Sequence, residues 1–438
     1  MRIFIIIWLG QTVSIIGSGM TGFAFTIWVW ELTHQVTAIA LFGLFAQLPQ
    51  VLIAPIAGFI VDRWNRKYLM VVGDTVSGVV AIAVLLLYST THLQLWHLYL
   101  AVAIQGIFEV IQELAYSTSI STMMPKQHYS RVSSLRFLSD YGSSIIAPTL
   151  AGILYSVIGL VGILIIDIVS FVFAVTTVLG VHIPQPSMTT VNTQSFTNWK
   201  QEIYFGWHYI AVRPSLLAML VLAFVFTFAH DFGLSIYSPM VLALTGNDAK
   251  VLGTLASAAG IGGIVGVLLI NSWGGFKRRI DGVLLGMIGV GLGKIIFSLA
   301  KTPLIWIPAQ FCSSVNFPIL GSSCDAIWLT KVNPQIQGRV FATLKVVTLI
   351  ASTVAYLIAG PLADYIFEPA MMPDGSLAPI LGWIFGTGKG SGMAVLYFIS
   401  SLGMLFIGLS GYAFRTLRNV ETILPDHDAN TANVKPYV

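Results

Sequence analysis

The chain has 438 residues, of which 22 are Lys or Arg and 18 are Asp or Glu; 9% are charged and 56% are apolar. A soluble globular chain carries about 25% charged residues, so this composition argues against a water-soluble enzyme, and its hydrophobicity excludes a disordered chain. The net charge of +4 argues against nucleic acid as a partner, which would need a clustered basic face.

A membrane-spanning helix needs about 20 mostly apolar residues. Runs of that kind cover 4–30, 37–61, 68–90, 96–123, 132–157, 159–181, 215–244, 249–272, 280–300, 303–330, 340–365 and 392–414. They predict an all-α membrane protein with twelve transmembrane helices. The runs are too long for the strands of a membrane barrel, which are about ten residues of alternating polarity. The fifth and sixth runs meet near Ile158–Gly159 with no charge to part them. The first run is too long for a signal peptide and is read as the first membrane helix.

That first run places Gln11, Ser14 and Ser18 on one helix face. They can hydrogen-bond a substrate or knit helices together. After the second run comes Gly58-Phe-Ile-Val-Asp62-Arg63-Trp-Asn-Arg66-Lys67-Tyr-Leu-Met70. Gly58 allows close helix approach. Asp62 can pair with Arg66 or face a positive helix N-terminus. Asp74, near the cytoplasmic end of the third run, is expected to support this loop.

The fourth run carries Glu109 and Glu113, four residues apart and so about 6 Å apart on one face. Two carboxylates that close in a low dielectric should not both ionise, and the pair would share protons as one coupled unit. The other readings are a contact of one with Arg136, direct binding of a cationic substrate, or a polar contact between helices. Arg136 and Asp140 in the fifth run read as an intrahelical pair. Asp167 and Lys294 have no assigned role.

The longest polar stretch, 182–213, separates the sixth and seventh runs; its end, from Asn198 to Arg213, reads as a short helix along the cytoplasmic interface. The seventh run holds His230 and Asp231, and the tenth holds Asp325. Charges at such depth are costly and mark candidate function. Gly262/Gly266, Gly282/Gly286 and Gly289/Gly293 read as close-packing surfaces. The glycine-rich outer loop from Asp364 to Gly392 lacks a phosphate-binding ending and is expected to be a lid or re-entrant turn. Cys312 and Cys324 read as small packing residues. No cofactor and no metal is expected.

Two segments repeat six runs apart. Pro125 to Arg136 contains Arg131-Val132, and Pro334 to Lys345 contains Arg339-Val340. The basic loop Asp62–Lys67 is likewise matched by Lys277–Arg279. A six-plus-six duplication predicts a transporter with a midplane site. The expected domains are 1–181 and 214–418, two pseudo-symmetric six-helix bundles, with 182–213 as linker and 419–438 as a cytoplasmic tail. Lys and Arg concentrate on one side of the membrane, sixteen in one set of loops and tails against three in the alternate loops. By the positive-inside rule both termini are cytoplasmic.

The segment 58–70 resembles the signature loop of the major facilitator superfamily, with Gly, Asp-Arg and Arg-Lys at the family's spacing between the second and third helices. Trp199, Glu202, Gly206, Tyr209 and Pro214-Ser215-Leu216 resemble bacterial exporters of the macrolide-efflux and enterobactin-export branch. The resemblance implies the major facilitator fold, with the first, fourth, seventh and tenth helices lining a cavity. It makes Glu109, Glu113, His230, Asp231, Asp325, Gln11, Ser14 and Ser18 the candidate proton-coupling or substrate residues. It also implies a cytoplasmic gating latch of Gly58, Asp62, Arg63, Arg66, Lys67, Asp74, Arg131 and Arg339.

One departure bears on antiport. The family's antiporters often carry Gly-Pro-x-x-Gly-Gly in the fifth helix, and this chain has Ala147-Pro148-Thr149-Leu150-Ala151-Gly152.

The expected function is secondary active transport, with proton-coupled export of a small amphipathic or hydrophobic compound such as a drug, macrolide or siderophore. The alternative is a uniporter or a lipid or metabolite carrier without proton antiport. The expected partners are that small molecule, protons and the lipid bilayer. The chain is expected to be a monomer in the bacterial plasma (inner) membrane. The motifs of an intramembrane enzyme are missing from the sequence, so none is expected.

Overall fold

Apolar runs of this length fold as helices in a bilayer because a helix satisfies its own backbone hydrogen bonds. The computed structural model describes residues 2–123, 129–181, 199–332 and 336–424, and these contain helices but no strand. In chain order they are α1 Arg2–Thr33, α2 Val36–Arg63, α3 Arg66–Ser89, α4 Leu95–Met123, α5 Tyr129–Leu179, α6 Trp199–Ala211, α7 Pro214–Leu244 and α8 Ala249–Trp273. There follow α9 Arg279–Leu299, α10 Pro303–Lys331, α11 Gln337–Leu362, a π-helical turn Ala363–Phe367, α12 Glu368–Ala370, α13 Ala378–Phe385, α14 Ser391–Ala413, α15 Arg415–Arg418 and α16 Val420–Ile423.

Eleven helices among the described residues are long and apolar enough to cross a membrane. The difference from twelve lies in α5, which runs for 51 residues. At about 1.5 Å per residue such a helix would extend about 77 Å, against a hydrocarbon core of about 30 Å. Gly159 interrupts it with φ 63° and ψ −169°, a backbone that an L side chain resists. The stretches before and after Gly159 correspond to the fifth and sixth predicted runs. Here the boundary is drawn by one glycine conformation, without a polar loop.

The described helices group into two compact units. One holds α1 to α5 with Ser238–Gly260; the other holds α6, α7 up to Tyr237, and the chain from Ile261 onward.

In the first unit α1 packs on α5, α2 on α4, and α3 on both α4 and α5. Phe4, Ile7, Val61, Met70, Ala115 and Val178 are buried together there. Glycine allows the closest crossing. A Cβ on Gly152 of α5 would sit 2.7 Å from the Ala249 carbonyl oxygen of α8, and one on Gly253 would sit 2.9 Å from that of Pro148.

In the second unit the paired glycines of α8 and α9 both face α10. A Cβ on Gly266 would lie 2.3 Å from the Val315 carbonyl oxygen, and one on Gly293 would lie 2.8 Å from Ser313 Cβ. Helices in lipid associate through such van der Waals contact, because burial from lipid gives little hydrophobic drive.

The basic loops do the same work in each unit. Arg66, the first residue of α3, donates from Nη1 to the Thr118 carbonyl of α4 at 2.8 Å. Arg279, the first residue of α9, donates from Nη1 to the Ala326 carbonyl of α10 at 3.1 Å. Each cation meets carbonyls in the last turns of the next helix, where the partial charge is negative. Lys67 Nζ adds bonds to the carbonyls of Leu179 and Val181 at 2.9 and 2.8 Å.

The stretch between α11 and α14 includes the π-helical turn and the short helices α12 and α13. Glu368 accepts from the backbone N–H groups of Gly390 and Met393 at 3.1 and 2.9 Å, which caps the start of α14.

Candidate functional site

The first unit encloses a cavity of about 590 Å³. Its polar wall is built mainly from α1, α3, α4 and α5, with Gln50 added from α2. From α1 come Gln11, Ser14, Ser18 and Thr21; from α4 come Gln105, Glu109, Gln112, Glu113 and Tyr116. Both sets recur at three, four or seven residues, so each forms a stripe along one helix face. Asp74 of α3 and Asp167 of α5 complete the set, and Trp8, Phe25 and Phe42 supply aromatic surface.

Asp74 is 3% exposed. Gln11 Nε2 donates to Asp74 Oδ2 at 2.9 Å, and Gln112 Nε2 donates to Asp74 Oδ1 at 2.5 Å. Gln112 Nε2 also lies 3.0 Å from Gln11 Oε1, closing the triad. Buried carboxylates in a membrane protein need such partners. Asp74 was expected to serve the cytoplasmic loop; the structure places it in the cavity wall instead. The reason is the direction of its side chain on α3, which points between α1 and α4.

Asp167 is 4% exposed. Ser18 Oγ donates to its Oδ1 at 3.1 Å, and Thr21 Oγ1 donates to its Oδ2 at 2.8 Å. Among the described residues neither Asp74 nor Asp167 makes an ion pair. Glu109 and Glu113 are exposed to the cavity, and Gln50 Nε2 donates to Glu109 Oε2 at 3.4 Å. The cavity thus gathers four carboxyl groups, and no Lys, Arg or His lies among its lining residues.

The structure therefore brings together Gln11, Ser14, Ser18, Glu109 and Glu113. It adds Asp74, Asp167, Gln112 and Thr21, which sequence reasoning did not assign to the site. Thr21 was findable, since it extends the spacing of Ser14 and Ser18 by one turn. Gln112 was findable from its place beside Glu109 and Glu113.

His230 and Asp231 lie in the second unit. His230 Nδ1 donates to Asp231 Oδ1 at 2.7 Å, and Ser352 Oγ of α11 donates to Asp231 Oδ2. Asp325 is exposed on α10 and is joined to neither by any hydrogen bond or ion pair among the described residues. Of the expected latch, Arg66 and Lys67 hold helix ends within the first unit. The side chains of Gly58, Asp62, Arg63, Arg131, Arg136, Asp140 and Arg339 fall outside the described residues, as do positions 182–198 of the linker.

A many-helix membrane protein with a polar, carboxylate-lined cavity inside one helical unit is the architecture of a membrane transporter. Residues 7–356 match the family model of the Major Facilitator Superfamily, and the chain belongs to that family. It is 23% identical to macrolide efflux protein A of Streptococcus pyogenes over 368 residues, which is 83% of this chain and 90% of that protein. It is 21% identical to the multidrug efflux pump Tap of Mycolicibacterium fortuitum over 370 residues, covering 80% of this chain and 86% of that protein. Among solved structures, a bacterial homologue of the lysosomal transporter Spinster matches with a TM-score of 0.65 at 14% identity, covering 93% of this chain and 94% of that one. A bacterial homologue of the iron transporter ferroportin matches with the same score and identity over 93% and 97%.

The chain is thus a multi-pass membrane transporter of this superfamily, with relatives named as efflux proteins.

Proposed function

We propose that this transporter exports a small amphipathic or hydrophobic compound in exchange for protons. The observation that carries the reading is the shared cavity. Glu109 and Glu113 open into the same space as Gln11, Ser14 and Ser18, beside the aromatic surface of Trp8, Phe25 and Phe42. A polar wall facing aromatic surface suits an amphipathic ligand. Two close carboxyl groups suit a site that gains and loses protons.

In the proposed cycle the Glu109/Glu113 pair takes a proton from outside. The two bundles, 1–181 and 214–418, then change access about the cavity, and the proton leaves inside as substrate enters. The concentration of Lys and Arg in one set of loops supports placing both termini in the cytoplasm. The names of the relatives support export of a macrolide-like compound.

The test is substrate-driven proton movement in vesicles loaded with a labelled macrolide. Glu109→Gln/Glu113→Gln should reach the membrane at normal levels and lose the coupled proton flux. Unaltered coupling in that double variant would sink the proposal, and retained transport after collapse of the proton gradient would favour a uniporter.

A further inference from the structure

One end of the second unit, where α8, α10 and α14 finish and α9 begins, carries cations that the chain itself does not use. Gly274 and Gly275, with φ 84° and 78°, turn the backbone after Trp273, so Lys277 and Arg278 follow within one short loop. On the other flank α14 lies close on α9: a Cβ on Gly411 would sit 2.2 Å from Leu284 Cδ2. The chain beyond α14 then rests against α9 as α15 and α16.

This C-terminal segment is firmly seated. Leu417 and Val420 are buried in the same core as Ile280 and Trp328. Lys331 Nζ, at the end of α10, donates to the Glu421 carbonyl at 2.8 Å and to that of Leu424. Arg278 Nη2 donates to the Arg418 carbonyl at 2.6 Å, and the Ile280 N–H donates to Glu421 Oε2 at 3.3 Å. These bonds hold α15, with Arg415 and Arg418 one turn apart, beside the loop of Lys277 and Arg278.

The basic residues here fall into two groups. Arg279 and Lys331 are spent on the chain's own acceptors. Lys277, Arg415 and Arg418 are exposed, and among the described residues their side chains make no hydrogen bond or ion pair. Arg278 is also exposed, and the acid it meets is Asp281, at 3.9 Å. Trp273 at the end of α8 and Phe414 after α14 are 53% and 59% exposed. Aromatic side chains at the ends of membrane spans sit at the level of the lipid headgroups. The patch therefore offers unpaired cations at headgroup depth, next to apolar surface.

We propose that this patch binds an anionic phospholipid. Its phosphate oxygens accept from the guanidinium groups of Arg415 and Arg418 and from the Lys277 ammonium, and its acyl chains lie against Trp273 and Phe414. The planar fork of arginine matches phosphate oxygens, and cations clustered beside a span attract negatively charged lipid.

The test needs no transported substrate. The purified full chain in detergent is titrated with phosphatidylglycerol or phosphatidylcholine, and bound lipid is counted by native mass spectrometry. Wild type should bind phosphatidylglycerol about tenfold more tightly than phosphatidylcholine. Arg415→Gln/Arg418→Gln should abolish that preference and leave phosphatidylcholine binding unchanged. Lys250→Gln/Lys389→Gln removes two exposed cations at the opposite ends of α8 and α14, and should bind both lipids as wild type does. Glycerol phosphate, which has the headgroup chemistry without acyl chains, should not displace phosphatidylglycerol at equal concentration. If Arg415→Gln/Arg418→Gln does not fold, Lys277→Gln/Arg415→Gln is measured in its place. Equal affinity for the two lipids overturns the proposal. So do equal losses in the two charge-removed variants, which would mean attraction by net charge alone, and displacement by glycerol phosphate, which would mean a site for a soluble phosphate.

Discussion

The side-chain amide of Gln11 on α1 donates to the carboxylate of Asp74 on α3 at 2.9 Å, joining residues 63 positions apart in sequence. With Gln112 this makes a buried carboxylate the common acceptor for two amide groups. Asp74→Ala removes that acceptor, so Gln11 Nε2 loses its partner and Gln112 Nε2 keeps its bond to Gln11 Oε1 alone. Stability should fall by about 1–3 kcal/mol, read from thermal unfolding of purified protein. An Asp74→Ala variant as stable as wild type would show that the triad contributes nothing.

Asp167 offers a graded test of the same physics. Thr21→Val deletes one donor to Asp167 and leaves Ser18 in place. The expected loss is about 1 kcal/mol, the usual net worth of one hydrogen bond. Thr21→Ser, which keeps the hydroxyl, should lose less. Equal losses for the two variants would assign the effect to packing instead.

At Gly266 the constraint is space. Its absent side chain lets α8 approach the Val315 carbonyl of α10 to a distance at which a Cβ would lie only 2.3 Å away. Gly266→Leu should push the helices apart and cost about 1–3 kcal/mol through overpacking. Gly274 and Gly275, where an added Cβ would meet no heavy atom within 4 Å, test backbone conformation instead of crowding, because both have positive φ.

Glu368 anchors the start of α14 through two backbone N–H groups. Glu368→Gln keeps an acceptor oxygen, whereas Glu368→Ala keeps none. The alanine variant should be less stable by about 0.5–2 kcal/mol, the range for loss of a helix cap, with the glutamine variant between it and wild type. Hydrogen exchange at Gly390 and Met393 would rise in Glu368→Ala if the cap is lost.

Much of the fold was legible because each run of apolar residues must form a helix once in lipid. The number of spans, the signature loop and the repeat were all local patterns. The repeat has a structural counterpart in Arg66 and Arg279, which bind the next helix in the same way. The cavity was only half legible. Glu109 and Glu113 were visible as charges in an apolar run, and so were Asp74 and Asp167. Which way each pointed was not visible. In a soluble helix the apolar face marks the inside; in a membrane both the lipid side and the packed side are apolar, so that signal fades.

The sequence by itself determined that the chain crosses a membrane many times, which family its loop belongs to, and which few residues carry charge within the spans. Tertiary structure decided how those charges are grouped. It turned Asp74 inward to Gln11 and Gln112, tied Asp167 to α1, and set Lys294 over the rings of Tyr397 and Phe317. The reason is physical. Helix formation in lipid is settled by backbone hydrogen bonds within each segment. Grouping depends on how helices far apart in sequence rotate and pack, through glycine contacts and side-chain hydrogen bonds that no single segment contains.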